Sequence, residues 1–404
     1  MTKGRCKLNK IIRLCLLLFW MVICAGCWNR RELNELGIQV GTAIDKVGDQ
    51  YQVAVQVVVP GEVTPRLSSG RAPVTLYKAT APTIFEAFRK LTETSPRKIY
   101  SAHIRTLVIG EPLAREGIAN VLDLLSRNPE ARTDYYVVVS RGTPAEDTLK
   151  VLTSLEKIPA HNLFYSIDTS SKVWSPTTAI TMDEIIDQMV SEGTNLVLPG
   201  VRRIGNTKKG EQKSNVEEIE PSSHLRTTGL AMFKKDKLIG WLNEDEGRGY
   251  NYIRNNVKSS VGHLDCPDGG KIALETLRSD TKMEGRMVKG EPVIHLKIIN
   301  QSNIGEVECK IDITDPNTIS SLEQQVQERI KLLMQKVIAK VQNNYHVDIF
   351  GFGQAIYKSD PKAWKRIKAD WESYFSKLKV EYEMQVTIPR TGTTNNSFKN
   401  YLKE

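Results

Sequence analysis

Tyr51 to Val59 (YQVAVQVVV) sets Val53, Val55, Val57 and Val59 at every second position, lining one face of an extended chain with β-branched residues. The apolar segment Leu36 to Asp45 is compatible with a preceding strand, and Gly48-Asp49 between them reads as a hairpin turn. The Pro, Ser and Gly cluster from Pro60 to Pro73 predicts a long loop, after which Val74 to Ala79 forms another strand. Pro82 opens a predicted helix through Thr94, with Ile84, Phe88 and Leu91 on one side. A strand over Ile104–Ile109 precedes a helix from Pro112 to Ser126 with Ile118, Val121, Leu122 and Leu125 as its stripe. Tyr135 to Ser140 is a further strand, and Pro144-Ala145-Glu146 starts a further helix. Alternating strands and helices over Leu36–Leu152 predict a mixed sheet with helices packed on it. Periodicity is weak from Leu155 to Pro176, which reads as a connection, and Met182 to Glu192 reads as a short helix.

The stretch from Gly205 to Ser223 is polar and poor in apolar residues, which predicts a loop or a domain boundary. Leu230, Met232, Leu238, Ile239 and Trp241 then flank the turn Lys234-Lys235-Asp236-Lys237, a hairpin. Asn243 is placed to cap a short helix, and Glu244, Asp245 and Glu246 suit its first turn. That dipole role explains the three acids better than a metal site does. Lys271–Met287 and Pro292–Ile304 form a long antiparallel pair turning near Lys289-Gly290. From Asp315 to Tyr345, Leu322, Val326, Ile330, Leu333, Val337 and Val341 recur at spacings of three and four. This is one helical face of several turns, better explained by burial on its own sheet than by a partner helix. Pro361 to Phe375 is a helix with Trp364 and Trp371 on one face, and Val380–Ile388 closes the pattern with a strand. The expected class is α+β, sheets with helices packed on them, with breaks near Pro199 and Asp265: a leader over 1–26, an N-terminal α/β unit over 28–198, a middle unit over 199–265, a C-terminal unit over 266–392 and a polar tail over 393–404.

The leader is read from Lys3, Arg5, Lys7, Lys10 and Arg13, a basic and acid-free segment, followed by the apolar run Leu14–Ile23. Ten residues span roughly 15 Å as a helix, about half a bilayer core, which fits a secretory signal and not a membrane span. Ala25-Gly26 precede Cys27, as in a bacterial lipoprotein box, although Cys24 stands where such boxes usually carry Leu. Small residues admit a peptidase there, and the next thiol can take a diacylglyceryl thioether. Lipidation is therefore expected at Cys27.

Composition changes this picture little. The chain has 404 residues, is 40% hydrophobic and 25% charged, and carries a net charge of +9. Five of those nine charges lie in the leader, leaving a mild +4 on the mature chain, with Lys and Arg dispersed among acids. Nucleic-acid binding needs a concentrated basic footprint, so no nucleic-acid partner is expected. Of six cysteines, Cys6, Cys15 and Cys24 leave with the leader and Cys27 is acylated. Cys266 and Cys309 remain as a possible disulfide, or as two separate buried thiols.

Signals of chemistry are sparse. The chain has no GxSxG elbow, P-loop or HExxH, and Gly351-Phe352-Gly353 lacks the third glycine of a dinucleotide fingerprint. Those glycines more simply turn the chain out of the long helix. His103, His161, His224, His263, His295 and His346 are scattered without metal-ligand spacing. The SxxK matches at Ser95, Ser154 and Ser279 come without the companion motifs of penicillin-binding proteins. No catalytic residue, no metal ligand and no cofactor is assigned.

CWNRRELNELGIQVGTAIDK, from Cys27 to Lys46, resembles the start of the mature Ger(x)C spore germination lipoproteins. Trp28, Glu32, Leu33, Ile44 and Asp45 match, and Asn29 replaces the usual Asp. TTGLAMFKKDKLIGWLNEDEGRGYNYI, from Thr227 to Ile253, is similar to that family's central block. Gly351-Phe352-Gly353, the Trp364 and Trp371 helix and Arg390-Thr391-Gly392 are similar to its C-terminal end. The resemblance implies the C subunit of a nutrient germinant receptor, lipid-anchored on the outer face of the spore inner membrane beside two integral membrane subunits. It also implies three α/β lobes and a role in assembly and signal coupling, not an enzyme. The alternative is a substrate-binding lipoprotein of an ABC transporter, which needs two doubly wound lobes around a cleft. A tethered cell-wall enzyme is a third reading.

Overall fold

A computed structural model of the chain describes residues 12–13, 15–16, 32–63, 69–267 and 269–390. Cys27, Trp28 and the tail from residue 391 lie outside them. The first sheet comprises β1 (Leu36–Val47), β2 (Gln50–Val58), β3 (Val74–Ala81), β4 (Lys98–Tyr100), β5 (Thr106–Gly110), β6 (Tyr136–Ser140), β7 (Val197–Gly205), β8 (Ser223–Lys234) and β9 (Lys237–Leu242). Its order is β3-β2-β1-β5-β6-β7-β8-β9, with β4 paired to β1. β1, β5, β6 and β7 run parallel, and antiparallel pairs flank them on both sides.

The parallel centre is buried on both faces. Leu107, Ile109, Val137 and Val139 point into one core, while Val108 and Val138 point into the other. This is why LVI and VVV read as unbroken apolar runs and not as alternation. Helices α1 (Ile84–Lys90), α2 (Glu111–Glu116), α3 (Ala119–Ser126), α4 (Pro159–Val173) and α5 (Met182–Val190) flank the sheet. α4 covers one face through Ala160, Leu163 and Ile167, and the others cover the opposite face.

α6 (Glu244–Ile253) leads to the second sheet, formed by β10 (Ser260–Asp265), β11 (Lys271–Val288), β12 (Glu291–Val307) and β13 (Lys379–Arg390) in the order β10-β11-β12-β13. β13 pairs parallel with β12, and the other pairs are antiparallel. On β12, Ile294, Leu296, Ile298 and Ile304 face inward, and Lys297, Ile299 and Gln301 face solvent. The long helix α7 (Pro316–Asn344) buries Leu322, Val326, Ile330, Leu333, Val337 and Val341 against this sheet and α6. The expected face is thus consumed internally. α8 (Phe352–Ser359), α9 (Pro361–Ile367) and α10 (Trp371–Lys377) complete the unit.

The α+β class holds, with corrections in detail. The described residues form two sheets where three were expected, because β7, β8 and β9 extend the first sheet. Pro199 lies inside β7, and Asp265 is the last residue of β10. The polar stretch 205–223 joins two neighbouring strands of one sheet. The Asn215 amide donates to the carbonyls of Leu152 and Ser223 and accepts from the Ser223 N–H, which fixes that stretch by hydrogen bonds instead of an apolar core. The helix expected over 112–126 is two, because Gly117 at φ 139° breaks it and the next N–H turns to the Asp236 carbonyl. The connection expected over 155–176 contains the 15-residue α4, whose narrow buried stripe hides among Ser, Thr and Asn. The loop expected over 60–73 begins with a helical turn at Pro60–Val63. The helix expected over 361–375 is α9 and α10, separated by a 3-10 turn at Lys368–Asp370.

Candidate coupling site between the two sheets

Asp348 organises the junction of the two units. Its carboxylate accepts the backbone N–H groups of Phe350, Gly351 and Gly353 at 2.8–2.9 Å and the Trp371 indole N–H at 3.2 Å. Gly351 takes φ +78°, which lets the chain curl around the carboxylate and start α8. Asp348 is 2% exposed, and burial pushes its carboxyl above the ordinary range against the pull of those donors.

The loop held this way is bonded to the other unit. The Gln354 N–H donates to the Gly193 carbonyl and the Asn195 amide to the Asp348 carbonyl, while Arg254, just after α6, donates to the Phe350 carbonyl. Trp364 packs edge-on against Trp371, with centroids 5.2 Å apart, so the two tryptophans do share a face. Its indole donates to Glu192, which also pairs with Lys368 at 2.8 Å. Lys368, with Trp364, holds the Glu192 carboxyl below its usual range. A side chain at Gly353 would strike Gly193 and the Trp364 ring.

The central block builds a second connection. Asn243 caps the start of α6, as the sequence predicts, and Glu246 answers it in a reciprocal capping box. Glu246 also pairs with Lys340 of α7 at 2.7 Å, and Lys340 donates to the Trp241 carbonyl of β9. The Trp241 indole donates to Glu111, and Arg141 lies 4.7 Å over its ring. α6 lies so close to α7 that a Cβ at Gly249 would run into the Leu333 carbonyl. Each of the three acids faces a cation: Glu244 has Arg226, Asp245 has Arg248 and Glu246 has Lys340. Among the described residues, no group of three His, Cys, Asp or Glu side chains could hold a metal ion.

Asp45, from the N-terminal block, sits apart from this junction. It accepts the N–H groups of Ala145 and Glu146 at 2.8 and 3.1 Å, capping the turn at 145–148, and burial raises its carboxyl. Cys266 and Cys309 are bonded across the open end of the β11–β12 hairpin, with Cα atoms 6.2 Å apart. Asp348, Glu192 and Arg254 went unnoticed in the sequence. Asp348-Ile349-Phe350-Gly351 does carry a local signal, an Asp whose side chain takes N–H groups two and three residues on.

The arrangement binds two sheets into one body and offers no gathered nucleophile, base and acid. Two doubly wound lobes around a cleft are not what it builds, since three of the four strands in the second sheet are antiparallel. Comparison with known proteins gives a consistent result. Residues 29–203 match the family described as spore germination protein N-terminal domain, and residues 228–392 match spore germination B3/GerAC like, C-terminal. Spore germination protein KC of Bacillus subtilis (strain 168) is 31% identical over 98% of this chain and 100% of its own length. Spore germination protein B3 of the same organism is 23% identical over 93% of this chain and 96% of that protein. The crystal structure of the GerBC protein superposes with a TM-score of 0.53 at 19% identity, covering 86% of this chain and 97% of that one, which shows the shared fold. Both domain matches and the end-to-end relative agree with the order of the motif blocks, and the chain belongs to the spore germination B3/GerAC-like family.

Proposed function

We propose that this chain is the lipid-anchored C subunit of a spore nutrient germinant receptor, acting in receptor assembly and signal coupling and not as an enzyme. The observation that carries the reading is the end-to-end match, at 31% identity, to a protein named for spore germination. Acylation at Cys27 tethers the chain to the outer face of the spore inner membrane, beside two integral membrane subunits. No helix of the described residues is long and apolar enough to cross a membrane. Two or three acyl chains anchor stably where one does not. Tethering raises the effective concentration of the soluble units near their membrane partners, so modest contacts suffice for assembly. The junction around Asp348 supports coupling, because it lets the two units move as one piece. Export to an oxidising compartment suits the Cys266–Cys309 bond.

The test is dipicolinate release from spores lacking the gene, across amino acids, sugars and nucleosides. Loss of response to a particular nutrient, restored by the wild-type gene, is expected. A restored response to every nutrient from Cys27→Ala, with normal receptor abundance, would overturn the anchoring part of the reading.

A further inference from the structure

The face of the first sheet covered by α1 and α3 contains a cavity that the junction does not use. Its volume is about 500 Å³, within the range of roughly 300–1,000 Å³ that holds small molecules. Phe85, Phe88, Ile99, Leu124 and Leu125 supply its apolar wall, and Tyr135 belongs to its buried lining.

Most of the polar groups around it are satisfied within the chain. Gln39, 1% exposed, donates to Thr42 and accepts from Ser101 at 2.9 Å. Thr92 donates to the Arg89 carbonyl, Lys98 pairs with Glu130 at 2.7 Å, and Arg127 pairs with Asp123. Arg89 lies at the exposed rim, 5.0 Å over the Phe85 ring. Tyr135 is also 1% exposed, yet its hydroxyl has no hydrogen-bond partner among the described residues. An apolar chamber with a few unspent donors is the usual layout of a site that orients a mainly apolar ligand through few polar contacts.

We propose that this cavity is a binding site for a small, largely apolar molecule carrying one carbonyl-type oxygen, which accepts the Tyr135 hydroxyl proton in a hydrogen bond. The assignment is independent of the germination reading, since it rests on the cavity and on Tyr135 alone. Lys98, Arg127 and Gln39 are already engaged and Arg89 lies at the exposed rim, so the inner chamber offers a ligand no free charge. The acceptor and the apolar body, not a salt bridge, set its preference.

Acetophenone and ethylbenzene are matched probes, because they share an aromatic body and differ in the carbonyl. Equilibrium dialysis of the full-length chain, against a protein-free arm of identical detergent or lipid composition, reads the binding of each. Saturable binding of both is expected, tighter for acetophenone. Tyr135→Phe keeps the ring and removes the donor, and should weaken acetophenone by about five- to tenfold while moving ethylbenzene by less than about twofold. Ala131→Trp, placed on the lining loop, should fill the chamber and abolish binding of both. Thermal midpoints near the wild type keep these losses distinct from unfolding. No saturable uptake by the wild type, or an equal effect of Tyr135→Phe on the two probes, would overturn the site.

Discussion

Asp45 and Asp348 are both buried carboxylates that gather backbone N–H groups, yet they organise their regions differently. Asp45 takes two donors from one short turn inside the first unit, 100 and 101 residues along the chain. Asp348 takes three from its own loop and a fourth from the Trp371 indole, and that loop is bonded to Gly193 and Asn195 of the other unit and to Arg254 at the end of α6. The first secures one turn against one strand. The second secures a loop, a tryptophan pair and the contact between two sheets. What an acid stabilises thus depends less on its burial than on how far its donors reach.

The largest expected effect is Asp348→Ala, which leaves three backbone donors and an indole without their acceptor. A loss of roughly 3–5 kcal/mol in urea unfolding is expected. A loss below about 1 kcal/mol would mean that water replaces the carboxylate freely. Asp45→Ala strands two donors and removes a cap, so roughly 1–3 kcal/mol is expected from the same measurement. If this substitution costs more than Asp348→Ala, the contrast drawn here is reversed.

The smallest effect is in pH dependence. Burial raises both carboxyls, so above the ordinary Asp value of about 3.9 the folded chain still holds a proton that the unfolded chain has released. The stability each group contributes is fully present below that pH and falls as pH rises through the raised folded value. Urea midpoints compared from pH 4 to 7 should show the wild type losing stability relative to Asp45→Asn as pH rises. A wild type that gains on Asp45→Asn with rising pH would give the shift the opposite sign.

Legibility in the sequence followed the range of the interactions. The α7 face, the β11–β12 hairpin and the Asn243 cap depend on neighbours within a few residues or on a sustained period, and each could be read directly. α4 escaped because its buried stripe is only four residues, Pro159, Ala160, Leu163 and Ile167, and is interrupted by polar ones. The placement of β7, β8 and β9 escaped because a polar connection looks the same whether it separates lobes or joins adjacent strands. The tryptophan pair showed in its spacing, but its partners Glu192 and Asp348 come from opposite sides of the junction. Tyr135 looked like one more strand residue, because the chamber beside it is formed by α1, α3 and the loop after α3 together.

The strand order carries a consequence for how the molecule is completed as it is made. β1, the first strand, sits inside the nine-stranded sheet and pairs with β2, β4 and β5. That sheet therefore grows outward from the earliest residues and is complete once Leu242 is available. The second sheet has the reverse schedule. β12 waits for its parallel neighbour until α7 to α10 have passed, because β13 is the final described strand. A chain arrested between Val307 and Lys379 would own a finished first sheet beside an unclosed second one, with the edge of β12 bare and open to wrong partners.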